Sequence, residues 1–286
     1  MATLKAIRKR IGSIRNTQQI TKAMKMVSAA KLRRAQEALV GARPYAEKMT
    51  ALLKNLSARV PPEAHPLLRE REEKRVDLLL VTGDRGLCGG YNANLIRAAE
   101  RFIRSHGTEK EIRLLIVGRK GVDYFRRRKI EAADRYPNVW TRPLGGLAAE
   151  LAQKIIGTFL REESDAAFIL YSRFRSALSQ VPTLERLLPV SAGEQKGEAP
   201  LTEYLFEPGL EALLSSLLPK VAEVAIYHAL LEASASEHGA RMTAMDSATT
   251  NAADMIGTLT LQMNRARQAS ITRELMEIVG TAEALK

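Results

Sequence analysis

The C-terminal part of the sequence carries an apolar pattern that only a long helix with a partner can satisfy. From Leu210, steps of alternately four and three residues keep a single phase as far as Ala266. Such a seam is typical of a coiled coil and needs a second helix to cover it. At ~1.5 Å per residue the helix approaches ~100 Å, so we expect most of it to project beyond a compact domain. The seam positions are Leu210, Leu214, Leu217, Val221, Val224, His228, Leu231, Ala235, His238, Met242, Met245, Thr249, Ala252, Ile256, Leu259, Met263 and Ala266.

A second seam begins at the other end of the sequence. Helices in globular domains usually run about 8 to 20 residues, so two separate surface helices are the weaker interpretation of patterns this long. Two terminal helices that flank one middle domain meet with least chain strain as an antiparallel pair; a homodimeric parallel zipper is the rival. The positions of this seam are Leu4, Ile7, Ile11, Ile14, Gln18, Thr21, Lys25, Ser28, Leu32, Ala35, Leu39, Ala42, Ala46, Met49, Leu53 and Leu56.

Between the two helices the apolar pattern changes period. Short apolar runs at residues 76–82, 112–118 and 166–171 are typical of buried parallel strands. They alternate with helical patterns, which predicts a small Rossmann-like α/β domain with right-handed crossovers. The remaining expected elements are helices at 92–105, 122–128 and 144–161, a weak strand near Ile130, and a strand pair or edge within 174–190.

The predicted fold class is therefore α/β, with a long antiparallel coiled coil of the terminal helices added to the small domain. We expect Pro219 to interrupt or kink the last helix, because proline lacks the N–H that the helix needs. The expected division is an N-terminal helix at 1–58, a linker at 59–75, an α/β foot domain at 76–208 and a C-terminal helix at 209–286.

Charge and cysteine content narrow the class of protein. The single cysteine, Cys88, excludes an internal disulfide and fits a reducing compartment, and no apolar run approaches the ~18 residues of a membrane span. Residues 1–50 hold twelve basic and two acidic side chains of a chain whose net charge is +12. Such a stripe suits nucleic acid, an anionic membrane or an acidic protein surface, unless it is a solvated helix face. The basic N-terminus resembles a presequence, but the seam runs through it, so we interpret it as mature structure.

Little in the sequence points to catalysis. The glycine-rich stretch at 83–90 follows a predicted strand, but it lacks the lysine and hydroxyl of a phosphate loop and the spacing of a dinucleotide fingerprint. A structural turn, with Asp84 or Arg85 in a polar contact, is the favoured interpretation. Cys88 could be a small core residue. The histidines are dispersed, so we expect no metal site and no bound cofactor.

The seams contain polar interruptions. In the first helix the seam is polar at Gln18, Thr21, Lys25 and Ser28, whereas Ile20, Met24 and Val27 stand one residue away. A similar shift follows Ala266, where the apolar phase becomes Ile271, Leu275, Ile278, Ala282 and Leu285. These shifts predict that the apolar face rotates and that a third surface grips the pair locally; tolerated polar core layers are the alternative.

Four stretches carry a family resemblance. They are ITKAMKMV at 20–27, DRGLCGGYN at 84–92, SEHGARMTAM at 236–245 and RARQASIT at 265–272. Together they resemble the gamma subunit family of rotary ATP synthases, in order and over essentially the whole chain. The resemblance implies a central stalk with no catalytic site of its own, one copy per complex, inserted into a ring of alpha and beta subunits. Its foot is expected to bind the epsilon subunit and the membrane c-ring.

The resemblance also suggests roles for individual residues. Met24 and Lys25 correspond to the family's contact with an acidic loop of the catalytic subunits, and the surrounding basic residues give that contact an electrostatic reason. An upper contact with a catalytic subunit is expected at Arg267, Gln268 and Thr272. Tyr204 and Glu207 are expected to face the c-ring and epsilon. The structural turn comprises Asp84, Arg85, Gly86, Gly89 and Gly90.

Some positions depart from the family, and other classes remain open. Gly83 stands where relatives more often have serine, and Lys25 occupies a variable position, which leaves its pairing open. The other classes are a coiled-coil dimer that binds nucleic acid and a nucleotide-dependent enzyme with coiled-coil arms. The predicted placement is bacterial, peripheral to the cytoplasmic side of the inner membrane, in a proton-translocating complex that binds no nucleic acid.

Overall fold

The computed structural model describes residues 4–57, 61–190 and 209–284. Helix α1 spans Leu4–Ser57 and helix α5 spans Leu210–Ala284, so both terminal helices are far longer than ordinary globular helices. Between them lie the elements of an α/β sheet domain. These are β1 (Arg75–Val81), α2 (Tyr91–His106), β2 (Glu111–Val117), α3 (Arg119–Arg127), β3 (Asp134–Tyr136), α4 (Leu144–Leu160), β4 (Ala166–Phe174) and β5 (Gln180–Leu188).

The chain divides into two compact units. The terminal unit comprises Met1–Ser28 and Met242–Lys286, and the sheet unit comprises Ala29–Arg241. Each unit therefore contains part of α1 and part of α5.

In the sheet unit, five strands form a mixed sheet in the order β3-β2-β1-β4-β5. The first four strands are parallel, and β5 pairs antiparallel with β4 at one edge. Alternate residues of β1 face opposite sides, as a pleated strand requires. Leu78 and Leu80 pack with α2 and α3, while Leu79 and Val81 pack with α4 and α5. The Rossmann-like α/β prediction is confirmed.

In the terminal unit, α1 and α5 run antiparallel. The Thr21 hydroxyl lies 2.8 Å from that of Thr249, and Lys25 Nζ lies 2.6 Å from Asp246 Oδ1. The residue number of the partner on α5 therefore falls as the residue number on α1 rises, as antiparallel helices require. The predicted seam is also the covered side of α1: Ile7, Ile11 and Thr21 are buried, whereas the residues next to them are exposed.

Three expectations need correction. The weak strand is not at Ile130 but at Asp134–Tyr136, because Ile130 packs against the α2 and α3 core while the polar residues pair with β2. Helix α5 continues through Pro219, where the buried neighbours Leu218 and Ala222 hold the helix against the sheet.

The third correction concerns apolar stretches. One 18-residue window within Ala212–Thr281 has a mean hydropathy of 1.2, enough for a membrane span by length and composition alone. A core helix of a soluble protein passes the same test. Of the residues in this window, 33% are buried within the protein. The sequence expectation considered only consecutive apolar residues, which this alanine-rich helix does not have.

Candidate interaction surfaces

The seam of the terminal unit has a polar layer in its covered side. Thr21 and Ser28 are buried. The Thr21 hydroxyl is satisfied by Thr249 and by the carbonyl of Gln18, as a buried hydroxyl requires. The buried seam therefore keeps its phase, and the apolar residues Ile20 and Val27 lie outside it, as the predicted shift of the apolar face requires. Polar core layers, the alternative interpretation, describe this part of the helix pair.

Apolar side chains stand on the solvent side of the same helix. Ile20 is 60% exposed and Val27 57%, and because they are seven residues apart they lie on the same side of α1. A helix normally turns such residues toward a core, so an outward-facing apolar row marks a surface that a partner can cover. This row is available for contact with the third surface that the sequence predicts around the helix pair.

Met24 and Lys25 lie next to this row. Met24 is half-buried, and Lys25 forms an ion pair with Asp246 in which both side chains are about half exposed, at 42% and 54%. Exposed pairs of this kind contribute at most about 1 kcal/mol, so Lys25 can exchange Asp246 for another carboxylate at little cost. Its expected role toward a catalytic subunit stays a prediction.

The upper contact lies further along α5. Arg267, Gln268 and Thr272 are all exposed on the helix. At ~1.5 Å per residue, they lie roughly 30 to 40 Å along α5 from Asp246. The two predicted contacts are therefore separate sites along the helix pair, the first on α1 and the second on α5. The other two expected contact residues, Tyr204 and Glu207, fall outside the described residues.

Asp84 organises the turn that follows β1. Its Oδ1 accepts the backbone N–H of Arg119 at 2.7 Å and that of Asn138 at 2.9 Å, and its Oδ2 accepts the N–H of Trp140 at 3.3 Å. One carboxylate thus ties three segments together at the carboxyl edge of the sheet. Gly89 has φ +54°, which favours glycine.

Helix α5 fills the space in front of this turn. Arg241 donates from Nε to the carbonyl of Gly86 at 3.3 Å and from Nη2 to that of Arg85 at 3.5 Å. It also forms a buried ion pair with Glu237 at 2.5 Å. A Cβ at Gly83 would lie 2.8 Å from a Glu237 carboxylate oxygen, so only glycine fits without a shift.

This arrangement bears on nucleotide binding. In open α/β sheets, ligands bind outside the carboxyl ends of the strands, where the strand order reverses. Here the order reverses between β1 and β4, and that place holds the Glu237 and Arg241 side chains. Burial raises the pKa of Glu237 despite its ion pair with Arg241. A negative side chain facing Gly83 is unfavourable for a phosphate.

Further polar side chains of α5 anchor it to β4. Glu232 Oε2 accepts the N–H of Phe174 at 2.5 Å, and Ser236 donates to the carbonyl of Ser172 at 2.8 Å. Glu232 and Ser236 therefore bond β4, whereas Arg241, paired with Glu237, bonds the turn after β1. These four residues were not predicted from the sequence as a functional set. Their only local signal is a row of polar residues inside an otherwise apolar helix.

The remaining candidate groups are metal ligands and reactive side chains. Across residues 4–57, 61–190 and 209–284, no group of three histidine, cysteine, aspartate or glutamate side chains could hold a metal ion. Cys88 is buried beneath the turn, and burial raises the pKa of its thiol. Burial also lowers the pKa of His238 to about 4, with help from the neighbouring charges of Arg241 and Lys31.

Comparison with known proteins identifies the family. The profile of the family described as ATP synthase matches residues 3–285. The ATP synthase gamma chain of Geotalea daltonii is 53% identical, and that of Moorella thermoacetica 49%, each with full coverage of both chains. The chain belongs to the ATP synthase gamma-chain family.

Solved structures share the fold of this gamma-chain family member. A chain from the central stalk and c-ring of the Tetrahymena thermophila mitochondrial ATP synthase is 27% identical with a TM-score of 0.61, over 80% of this chain and 99% of that one. A chain of the Euglena gracilis mitochondrial ATP synthase is 21% identical with a TM-score of 0.68, over 99% and 94%. The second likeness concerns the fold alone.

Proposed function

We propose that this chain is the central shaft of a rotary, proton-translocating ATP synthase. The observation that carries the proposal is the outward-facing apolar row at Ile20 and Val27, at the level where the covered seam of the helix pair is polar at Thr21 and Ser28. A self-sufficient coiled coil would place these residues the other way round. Family membership supplies the partner: a ring of alpha and beta subunits around the helix pair.

The shaft acts mechanically. The c-ring turns the sheet domain, and the asymmetric helix pair presents a different side to each catalytic subunit in turn. A contact shifts a subunit between conformations only if it is stronger in one of them. Phosphoryl transfer belongs to the catalytic subunits, and this chain is a non-catalytic subunit of the complex.

The two predicted contacts give the shaft two separate sites of interaction with the catalytic subunits. Met24 and Lys25 meet an acidic loop of one catalytic subunit, with Lys25 exchanging Asp246 for the loop carboxylate. Arg267, Gln268 and Thr272 hydrogen-bond a catalytic subunit nearer the end of α5. Tyr204 and Glu207 face the c-ring, beside the epsilon subunit. The complex lies at the cytoplasmic side of a bacterial inner membrane, with one copy of this chain.

The polar filling of the sheet edge argues against a nucleotide-dependent enzyme. The Glu237 carboxylate stands where a phosphate would approach Gly83. The antiparallel pairing within one chain likewise removes the symmetric parallel zipper on which a nucleic-acid-binding dimer would depend.

The test is reconstitution of the alpha and beta subunits with and without this chain, measuring complex mass and ATP hydrolysis. We expect one copy per ring and cooperative turnover that depends on it. In the complete complex, reconstituted into vesicles with a proton gradient, the double variant Ile20→Ser and Val27→Ser is expected to lower ATP synthesis about tenfold or more, because it removes apolar contact made only in the complex.

The matched control is Val40→Ser, on the same helix and 61% exposed. All these variants should unfold like wild type, since the side chains are already exposed. A chain that self-associates and stays out of the ring would refute the shaft function. Equal loss of coupling in the control would refute the role of the row.

A further inference from the structure

The outer surface of α2 and α3 carries a concentration of basic side chains. The two helices lie on the same side of the sheet and are joined by a hydrogen bond from the Tyr124 hydroxyl to Glu100 Oε1 at 2.9 Å. On a helix, residues three and four positions apart are neighbours. The neighbours of Glu100 and Tyr124 at these spacings therefore surround this one hydrogen bond. We call them the α2–α3 basic face: Arg97, Arg104, Lys120, Arg127 and Arg128.

All five side chains of the α2–α3 basic face are exposed. Arg104 is the only one with a carboxylate partner among the residues that the structure describes, and it lies 3.6 Å from Glu100 with its side chain 78% exposed. Arg128 stacks over the Tyr124 ring at 5.4 Å. Glu100 is largely covered and already accepts the tyrosine hydroxyl. Among the described residues, ion pairs therefore leave most of the positive charge of this face without a carboxylate partner.

The surroundings of this face say what kind of partner fits it. The exposed large apolar side chains of the described residues include none from α2 or α3. A specific protein interface needs apolar or aromatic anchors, and single-stranded nucleic acid needs exposed aromatic rings for stacking. Tyr124 is covered by Arg128 and bonded to Glu100. What remains is a broad set of guanidinium and ammonium groups, whose geometry suits phosphate.

We propose that the α2–α3 basic face binds anionic phospholipid headgroups at the membrane that holds the complex. Basic side chains near an anionic leaflet gain binding energy additively, and the gain falls off within a Debye length. This lipid contact is additional to the proposed shaft function. It rests on that function only because the shaft brings the chain close to a membrane. Each lipid headgroup binds weakly, so bound lipids can exchange with their neighbours in the bilayer while the chain turns.

The test uses the assembled complex of alpha, beta and this chain, because the basic stripe of α1 would bind vesicles in the free chain. Co-sedimentation is measured with vesicles of phosphatidylcholine alone and of equal parts phosphatidylglycerol and phosphatidylcholine. The triple variant Arg97→Gln, Lys120→Gln and Arg127→Gln is expected to weaken binding to the anionic vesicles roughly 100-fold, at about fivefold per residue. Raised salt should weaken wild-type binding in the same way.

The matched control removes three basic residues that are paired with carboxylates: Arg142→Gln, Lys154→Gln and Arg161→Gln, whose partners are Glu150, Asp134 and Glu163. We expect it to change binding less than threefold. Equal loss in both variants, or wild-type binding to phosphatidylcholine alone, would overturn the proposal. A complex that fails to assemble even as wild type would refute the shaft function instead, since assembly does not involve this face.

Discussion

Two stretches of the same helix α5 differ in what covers them. At residues 229–241, in the sheet unit, every side chain is buried or half-buried. From Arg267 to Thr281, in the terminal unit, every side chain that the structure describes is exposed, including Ile271, Leu275 and Ile278. Both stretches are rich in aliphatic residues. A helix that is apolar on many sides is stable in water only when something covers it, so the second stretch depends on a partner that the first finds in its own chain.

Breaking the covered stretch from within should have the largest effect. Arg241→Met removes one partner of a buried ion pair and leaves Glu237 as an uncompensated buried charge, which costs about 3–5 kcal/mol of unfolding free energy. Urea unfolding followed by fluorescence of the single tryptophan, Trp140, measures the loss, because its indole N–H donates to the carbonyl of Thr82 in the same unit.

The double variant Glu237→Gln with Arg241→Met is the control for this prediction. It removes both charges, so we expect it to recover most of the lost stability. If the double variant is as unstable as the single one, the loss comes from packing and hydrogen bonding of Arg241 rather than from the unpaired carboxylate.

A matched pair of leucines compares the two stretches directly. Leu230 is fully buried and Leu275 is 57% exposed. Leu230→Ala should cost about 2–5 kcal/mol of unfolding free energy because it leaves a cavity, whereas Leu275→Ala should change it by less than about 0.5 kcal/mol. In the assembled complex Leu275→Ala should lower ATP synthesis, although it hardly changes the unfolding free energy of the free chain. A large stability loss for Leu275→Ala in the free chain would show that its own chain covers it.

The smallest effect at neutral pH concerns His238. Burial lowers its pKa to about 4, below the ordinary value of 6.5, so the folded state favours the neutral ring. The stability that comes from keeping His238 neutral in the folded state is therefore fully present above about pH 6.5, and it is lost as the pH falls toward 4. His238→Gln should leave stability near pH 7 almost unchanged and flatten its decline below pH 6.5. An unchanged decline in urea titrations at several pH values would assign the acid sensitivity to other groups.

The sequence predicted the elements that depend on local pattern. The seam of α1 and the buried strands were readable because apolar periodicity reports which side of an element is covered. The polar layer was visible in the sequence, but its hydrogen bond was not predicted, because Thr21 is satisfied by Thr249, a residue 228 positions away. The edge strand β3 was misplaced because its pairing with β2 outweighs the preferences of Asp134 and Arg135.

The candidate sites divide in the same way. Asp84 was singled out from its place after a strand, but its three backbone partners come from two later segments. The fit between Gly83 and Glu237 depends on the docking of a helix about 150 residues further along the chain. The roles of Met24 and Arg267 depend on other subunits, and so only a complex can test them.

The burial of Cys88 has a practical consequence. A thiol that is 2% exposed and whose pKa is raised by burial reacts slowly with alkylating reagents. A cysteine introduced at an exposed position, such as Leu178, which is 83% exposed between β4 and β5, should therefore take up a fluorophore or bead alone. The native chain is already suited to single-molecule observation of rotation, with no need to remove its own cysteine.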